Sequence, residues 1–321
     1  MKIKNRNRFF LVSLVLLTLI ASILYLTINH RNHLNFTLTI RIPKLLAFIL
    51  VAICTSFSTV TFQTITNNQL LTPSIIGIDS LFVLFQTVLV FITSLQVNIG
   101  LSSLSNFILS TLLTALASVS FLLTFFRVFP GRIFLLLLFG LVFNTFTESI
   151  QTFLQVVMDP NDFTAVLSQT LTSFSQVNTS LLSMAALVTI PFVFYLYSKR
   201  NDLDVIHLGT DYATSLGLQV NKQFLIYFIS VSIITATATS LVGPTSFIGF
   251  LGANIAYRLF STYRHQVLFL GSTLIALLFI LGGQIIVEHV FQTQTTLSVV
   301  INFIGGIYFI FLLLTERRAP L

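Results

Sequence analysis

Residues 1–31 read MKIKNRNRFFLVSLVLLTLIASILYLTINHR. Lys2, Lys4, Arg6 and Arg8 stand before a run in which no Asp, Glu, Lys or Arg appears until Arg31. The run matches the roughly 20 apolar residues that a helix needs to cross a hydrocarbon core about 30 Å thick. A secretory leader has the same order of charge and apolarity, but its apolar region covers about 7–15 residues and closes on a small-x-small cleavage site. Here Leu24-Tyr25-Leu26 leads straight into Thr27-Ile28-Asn29, so the segment reads as a retained span. Lipid offers no partner to a free backbone amide, which leaves helix as the form of the span.

The pattern repeats along the chain. Ten such runs cover approximately 8–28, 44–65, 74–93, 105–126, 133–157, 180–198, 222–242, 246–260, 266–287 and 297–314. The 321 residues are 55% hydrophobic and 8% charged, with a mean hydropathy of +0.96. A water-soluble domain carries about 25% charged residues, so a soluble surface is excluded. The runs are continuous and do not alternate in and out as barrel strands do. The fold class is therefore all-α, a polytopic membrane protein with about ten transmembrane helices, organised as one domain over residues 1–321.

Orientation follows from the basic residues in the short connections. With the N-terminus in the cytoplasm, the inner side receives Lys2, Lys4, Arg6, Arg8, Arg127, Arg132, Lys199, Arg200, Lys222, Arg258, Arg264, Arg317 and Arg318. The outer side keeps only Arg31, Arg41 and Lys44 of the 16. An even number of spans preserves that segregation and places both termini inside. The net charge of +7 and the pI near 9.8 are this topological signal, not a nucleic-acid surface. The single Cys54 lies within a span and has no partner for an internal disulfide.

Three connections carry most of the polar residues. The outer loop 29–43 holds His30, Arg31, His33 and Arg41, and segment 159–179 is rich in Thr, Ser, Gln and Asn. The inner connection 199–222 holds Lys199, Arg200, Asp202, Asp204, Asp211 and Lys222. Asp202 or Asp204 suits the cap of a short helix, Gly209 breaks the chain, and Thr210 or Asp211 suits the cap of a second helix closed by Gly217. Two short helices between two spans make a rigid knob, the kind of surface a soluble partner grips, or else an ordinary connector.

Ionisable residues at membrane depth mark function. Glu148 is the deepest, while Asp79 and the Glu288-His289 pair stand near span ends. Asn144, Glu148, Gln151 and Gln155 recur at helical spacing and share one face. That stripe reads as the wall of a translocation path or as hydrogen-bonding glue between helices. GPTSFIGFLG at 243–252 reads as a tight break between spans and as a surface for close helix crossing. No GxxxxGK[ST] phosphate loop, His-Glu-x-x-His, Gly-x-Ser-x-Gly or spaced metal-ligand set is found. The chain offers no catalytic residue, no metal site and no cofactor of its own.

Five segments resemble the FecCD-type permeases, the membrane subunits of ABC importers for ferric siderophores, haem and vitamin B12. Arg41-Ile42-Pro43-Lys44-Leu45-Leu46 is similar to that family's R-[LI]-P-R-L-L. The stretch from Asn68 to Gly77 is similar to N-P-L-A-x-P-x-x-L-G, and 208–220 to the L-G-x-x-x-A-x-x-L-G-V-x-V knob. Gly243 to Phe250 resembles G-P-I-G-F-[IV]-G-L, and Ser298 to Gly306 resembles G-V-V-T-A-L-I-G-A. All five occur in the family's order between residues 41 and 306.

The resemblance implies a permease dimer, homomeric or heteromeric, in the plasma membrane of a bacterium. It implies two cytoplasmic ATPase subunits that use ATP and Mg, and an external binding protein that delivers the substrate. Docking of that protein falls on Arg41 and Lys44, and ATPase coupling on Gly209, Ala213, Leu216 and Gly217. Three positions depart from the family: Asn68-Gln69 for Asn-Pro, Asp79 for a small Ser, and Gly283 to Glu288 with His289 for A-D-x-x-A-R. The last leaves Glu288 or His289 in the place of a docking arginine, and His289 is grouped here with Arg41 and Lys44. Asp79 and Gln284 are similar to the residues in permeases for catecholate-type siderophores. The rival class is an ion-coupled secondary transporter in which Glu148 titrates.

Overall fold

The computed structural model describes residues 2–28, 34–94, 102–171, 173–174, 177, 179–260, 262–292 and 294–316. His30, Arg31, His33, Arg317 and Arg318 lie outside them, as do the side chains of Lys2 and Lys4. Among the described residues there are helices and no strands. The helices are α1 (Lys2–Thr27), α2 (Leu34–Thr66), α3 (Ile78–Ser94), α4 (Ser103–Val128), α5 (Ile133–Val157), α6 (Pro160–Thr170) and α7 (Thr179–Ser198). They continue with α8 (Arg200–Ile206), α9 (Thr210–Ser215), α10 (Val220–Val242), α11 (Ser246–Phe260), α12 (His265–His289) and α13 (Leu297–Glu316).

Each of the ten predicted runs falls on its own helix. Seven of the described helices are long and apolar enough to cross a bilayer, and α3 and α13 hold shorter apolar stretches. Helix α11 has 15 residues, about 22 Å at 1.5 Å per residue, and is enclosed by its neighbours. The third run begins later than the sequence pattern suggests. Pro73–Ile76 forms a 3-10 turn, and Gly77 at φ +87° reverses the chain before α3 starts. Gly77 also lies against Phe143 and the Asn144 backbone, so the turn packs on α5.

Helices α2, α10, α11 and α12 form the centre, with α1, α4, α7 and α13 around them and α3, α5 and α6 along one flank. Helix α2 is largely buried, whereas α1 and α5 expose most of their apolar surface. The central helices are rich in small and hydroxyl residues. Thr55 and Thr237 donate to the carbonyls of Val51 and Ile233, both at 2.8 Å, so their hydroxyls need no partner from another element. Small side chains then let backbones approach. A Cβ on Gly249 would lie 2.7 Å from the Thr55 carbonyl oxygen, and one on Gly252 2.8 Å from that of Ser272. The predicted break and the predicted close crossing are thus both present in 243–252, with Gly243 at φ +92° closing α10.

Gly249→Val is expected to destabilise the bundle by about 1–3 kcal/mol through overpacking against backbone that cannot move aside. Gly282→Ala, where a Cβ meets open space, is the control and is expected not to lower the melting temperature in detergent.

Candidate functional site

Polar and ionisable side chains gather in three places. The first joins the ends of α1, α2 and α12. The last carbonyls of a helix lack intrahelical donors, and a cation there is also favoured by the helix dipole. Arg41 supplies both, because its Nη1 donates to the carbonyl of Tyr25 and, at 2.8 Å, to that of Ile28. Its guanidinium lies 5.2 Å from the centre of the Tyr25 ring. Its Nη2 pairs with Glu288 Oε2 at 3.4 Å, with both side chains mostly buried, and Gln284 Nε2 donates to Glu288 Oε1 at 2.8 Å. Beside this pair opens a cavity of about 460 Å³, lined also by Lys44, Thr295 and Thr296. Lys44 has no ion-pair partner among the described residues, and His289 is exposed, its Nδ1 3.1 Å from the Ile285 carbonyl.

The second place lies between α3 and α5. Asn144 Nδ2 donates to Glu148 Oε1 at 3.0 Å, and Ser80 Oγ donates to Asn144 Oδ1. Gln151 Nε2 donates to the Ser80 carbonyl, and Gln155 Nε2 to Thr87 Oγ1 at 3.5 Å. The predicted stripe therefore divides. Gln155 holds α5 to α3, Gln151 does so while touching a cavity of about 450 Å³, and Asn144 and Glu148 line that cavity. Asp79 lines it as well, together with Thr72, Ser74, Ser80 and Ser246. Thr239 donates to Asp79 Oδ1 at 3.0 Å. Sequence position alone put Asp79 at a span end, apart from Glu148. The turn at Gly77 brings the two carboxylates onto one groove that has no basic residue in its lining.

The third place is the α8–α9 unit. Gly209 stands at φ +121°, a conformation open to glycine, and separates the two helices. The Gly217 amide donates to the Thr214 carbonyl at 2.9 Å and the Leu218 amide to that of Ala213 at 3.1 Å. That pair of bonds with Gly217 at φ +86° is a Schellman closure. Ala213, Leu203 and Ile206 are buried in the main apolar cluster, while Leu208, Tyr212 and Leu216 are exposed at four-residue intervals. The four residues singled out from sequence thus have three different situations: Gly209 and Gly217 shape the unit, Ala213 anchors it, and Leu216 faces outward. Tyr212, one turn before Leu216 and exposed like it, was legible as an outward residue only once the helix phase was known.

Neither suggested aspartate caps α8. Asp202 pairs with Lys199 Nζ at 3.0 Å, which raises the Lys199 pKa above its ordinary value. Asp204 turns away to another element and accepts from the His265 amide at 2.7 Å, at the start of α12. Segment 159–179 contains α6, which was not expected; the signal was Asp159-Pro160, a capping carboxylate followed by a first-turn proline.

Arg41→Ala is expected to lower stability by about 3 kcal/mol, because it strands Glu288 away from bulk water. The exchange Arg41→Glu with Glu288→Arg is expected to recover part of that loss in a thermal melt; no recovery counts against the ion pair.

The FecCD transport family model matches residues 9–315. The chain is 40% identical to the petrobactin import system permease protein YclO of Bacillus subtilis, over 98% of this chain and 99% of that protein. It is 30% identical to the petrobactin import system permease protein FatC of Bacillus anthracis, over 86% and 78% of the two chains. A solved metal-chelate type ABC transporter, captured in an inward-facing conformation, superposes with a TM-score of 0.84 over 96% of this chain and 99% of its own, at 19% identity. The chain belongs to the FecCD transport family.

Proposed function

We propose that this chain is the permease subunit of an ABC importer that takes up a ferric siderophore of the petrobactin type. The observation that carries this is the 40% identity to a petrobactin permease over almost the whole of both chains. The chain itself is not an enzyme. ATP and Mg are used by partner subunits, in keeping with the lack of a phosphate loop in the sequence. Residues 1–321 act as one membrane domain with ten spans and both termini in the cytoplasm of a bacterial cell. A second permease subunit, two ATPases and an external binding protein complete the assembly.

The three polar places fit three tasks. A carboxylate standing among exposed apolar side chains such as Val142, Phe146 and Phe153 is expensive against lipid tails. The Asn144–Glu148 face of α5 therefore suits a wetted path beside the second permease subunit, with Gln151 and Gln155 fixing its pose. The exposed apolar row Leu208, Tyr212 and Leu216 suits a pocket on an ATPase, held in shape by Gly209, Ala213 and Gly217. At the opposite end, Lys44 and His289 offer donors to carboxylates on a binding protein. Arg41 is already committed to Glu288, so its part in docking is an exchange of partners.

Lys44 is the cleaner test of docking, because no internal partner is stranded by changing it. In proteoliposomes holding the whole importer, Lys44→Glu is expected to weaken stimulation of ATPase activity by the binding protein about tenfold, the effect of losing about 1.4 kcal/mol. Adding Arg41→Glu deepens the loss. Undiminished stimulation in both variants removes the docking role. Uptake of iron-loaded petrobactin that persists without ATP and collapses with the ion gradient supports the ion-coupled alternative through Glu148.

A further inference from the structure

The covalent chain ties the α8–α9 unit to α7 on one side and α10 on the other. Helices α2 and α12, which belong to the centre of the bundle, have no chain connection to it. Their link is partly apolar, through Leu203 and Ile206, and partly polar. The first amides of α12 need an acceptor, and the residue at its N-cap position, Arg264, provides no side-chain bond. Asp204 of α8 fills that place, accepting from the His265 amide at 2.7 Å. The same Oδ1 lies 2.6 Å from His265 Nδ1, and since a carboxylate only accepts, Nδ1 carries the proton. On the far side of the ring, Nε2 stands 2.7 Å from Thr64 Oγ1 of α2. The His265 side chain has no exposure to solvent, whereas Asp204 keeps about a fifth.

We propose that His265 is a positioning residue for ATP-driven transport, joining α8 through Asp204 to α12 and, through Thr64, to α2. This rests on reading the α8–α9 unit as the place where the ATPase pushes. A displacement of the unit reaches α7 and α10 through the backbone, and it reaches α2 and α12 directly through this relay and the apolar contacts of Leu203 and Ile206. Two short hydrogen bonds in series on a planar ring resist both stretch and rotation in a way that apolar contacts do not. Loss of the relay lets α8 slide against α2 and α12, so that ATP is spent without the bundle following.

The test uses the complete importer, with its ATPases, second permease subunit and binding protein, reconstituted in proteoliposomes. Uptake of radioiron-labelled petrobactin and phosphate release are measured in the same vesicles. His265→Leu breaks both links, and Thr64→Val removes only the second while keeping side-chain shape. Both are expected to keep ATPase activity within twofold of the parent while substrate moved per ATP falls at least fivefold. His265→Gln, which keeps an amide donor toward Asp204, is expected to restore part of the ratio. An unchanged ratio in both variants overturns the proposal, as does a fall in ATPase activity that matches the fall in uptake, because a merely structural role lowers the two together. Should His265→Leu fail to assemble, Thr64→Val alone decides. If the parent importer itself shows no ATP-dependent uptake, the importer reading and the relay fall together. If the parent couples and the variants couple equally well, only the relay falls.

Discussion

A helix in lipid must keep its backbone hydrogen bonds to itself, and the surrounding hydrocarbon gives no advantage to burying a leucine. What holds such helices together is close approach. In this protein the constraint is met on α2, α10, α11 and α12, where Thr, Ser, Ala and Gly supply the contact surfaces. Gly249 sits on the Thr55 carbonyl and Gly252 on that of Ser272, at separations a side chain would forbid. Hydroxyls such as those of Thr55, Ser230 and Thr237 bond back into their own helix, so they add little polarity to the contact. Large aromatic side chains such as Phe62, Phe228 and Phe269 fill the space between these contacts, and further apolar residues cover the outside, as on α1 and α5.

The same low dielectric governs the charges. An isolated charge is severely disfavoured away from water, and a matched one is tolerated. Arg41 is held by Glu288 and two carbonyls, Asp204 by His265 and an amide, and Asp79 by the Thr239 hydroxyl. Glu148 is different: it accepts from Asn144 and Ser80 but stands exposed beside apolar neighbours. A carboxylate so placed makes sense only where water or another subunit covers it. That single mismatch between side chain and surroundings marks the α3–α5 groove more clearly than its size does.

Much of this was legible in the sequence, and what was not has identifiable causes. Hydrophobic run length located all ten apolar helices, because each run is long and its ends are marked by charge, Gly or Pro. The helix phase of Asn144, Glu148 and Gln151 was readable from spacing alone. The partner of that face was not, since α3 meets it only after the turn at Pro73–Ile76 and Gly77. Arg41 looked like a free docking charge because Glu288 lies 247 residues away, and linear distance hides an ion pair. Asp204 was assigned to its own helix for the same reason. Local capping patterns are visible in sequence, whereas a cap supplied from another element is not.

Helix α2 brings these observations together. It runs for 33 residues, about 50 Å, with Pro43 tolerated near one end. Arg41 lies at that end, Thr55 and Thr59 meet α11 along the middle, and Thr64 meets His265 at the other end. One continuous, mostly buried helix thus joins the Arg41–Glu288 corner to the α8–α9 unit. A helix is stiff along its axis, because shortening it means breaking backbone bonds that lipid cannot replace. Motion imposed at one end therefore appears at the other as a shift or tilt and is not absorbed between them. An importer has to let the state of its inner face decide what its outer face will bind. A rigid member anchored by polar contacts at both ends, and packed through glycine and hydroxyl surfaces that can slide, meets that requirement without any change of secondary structure.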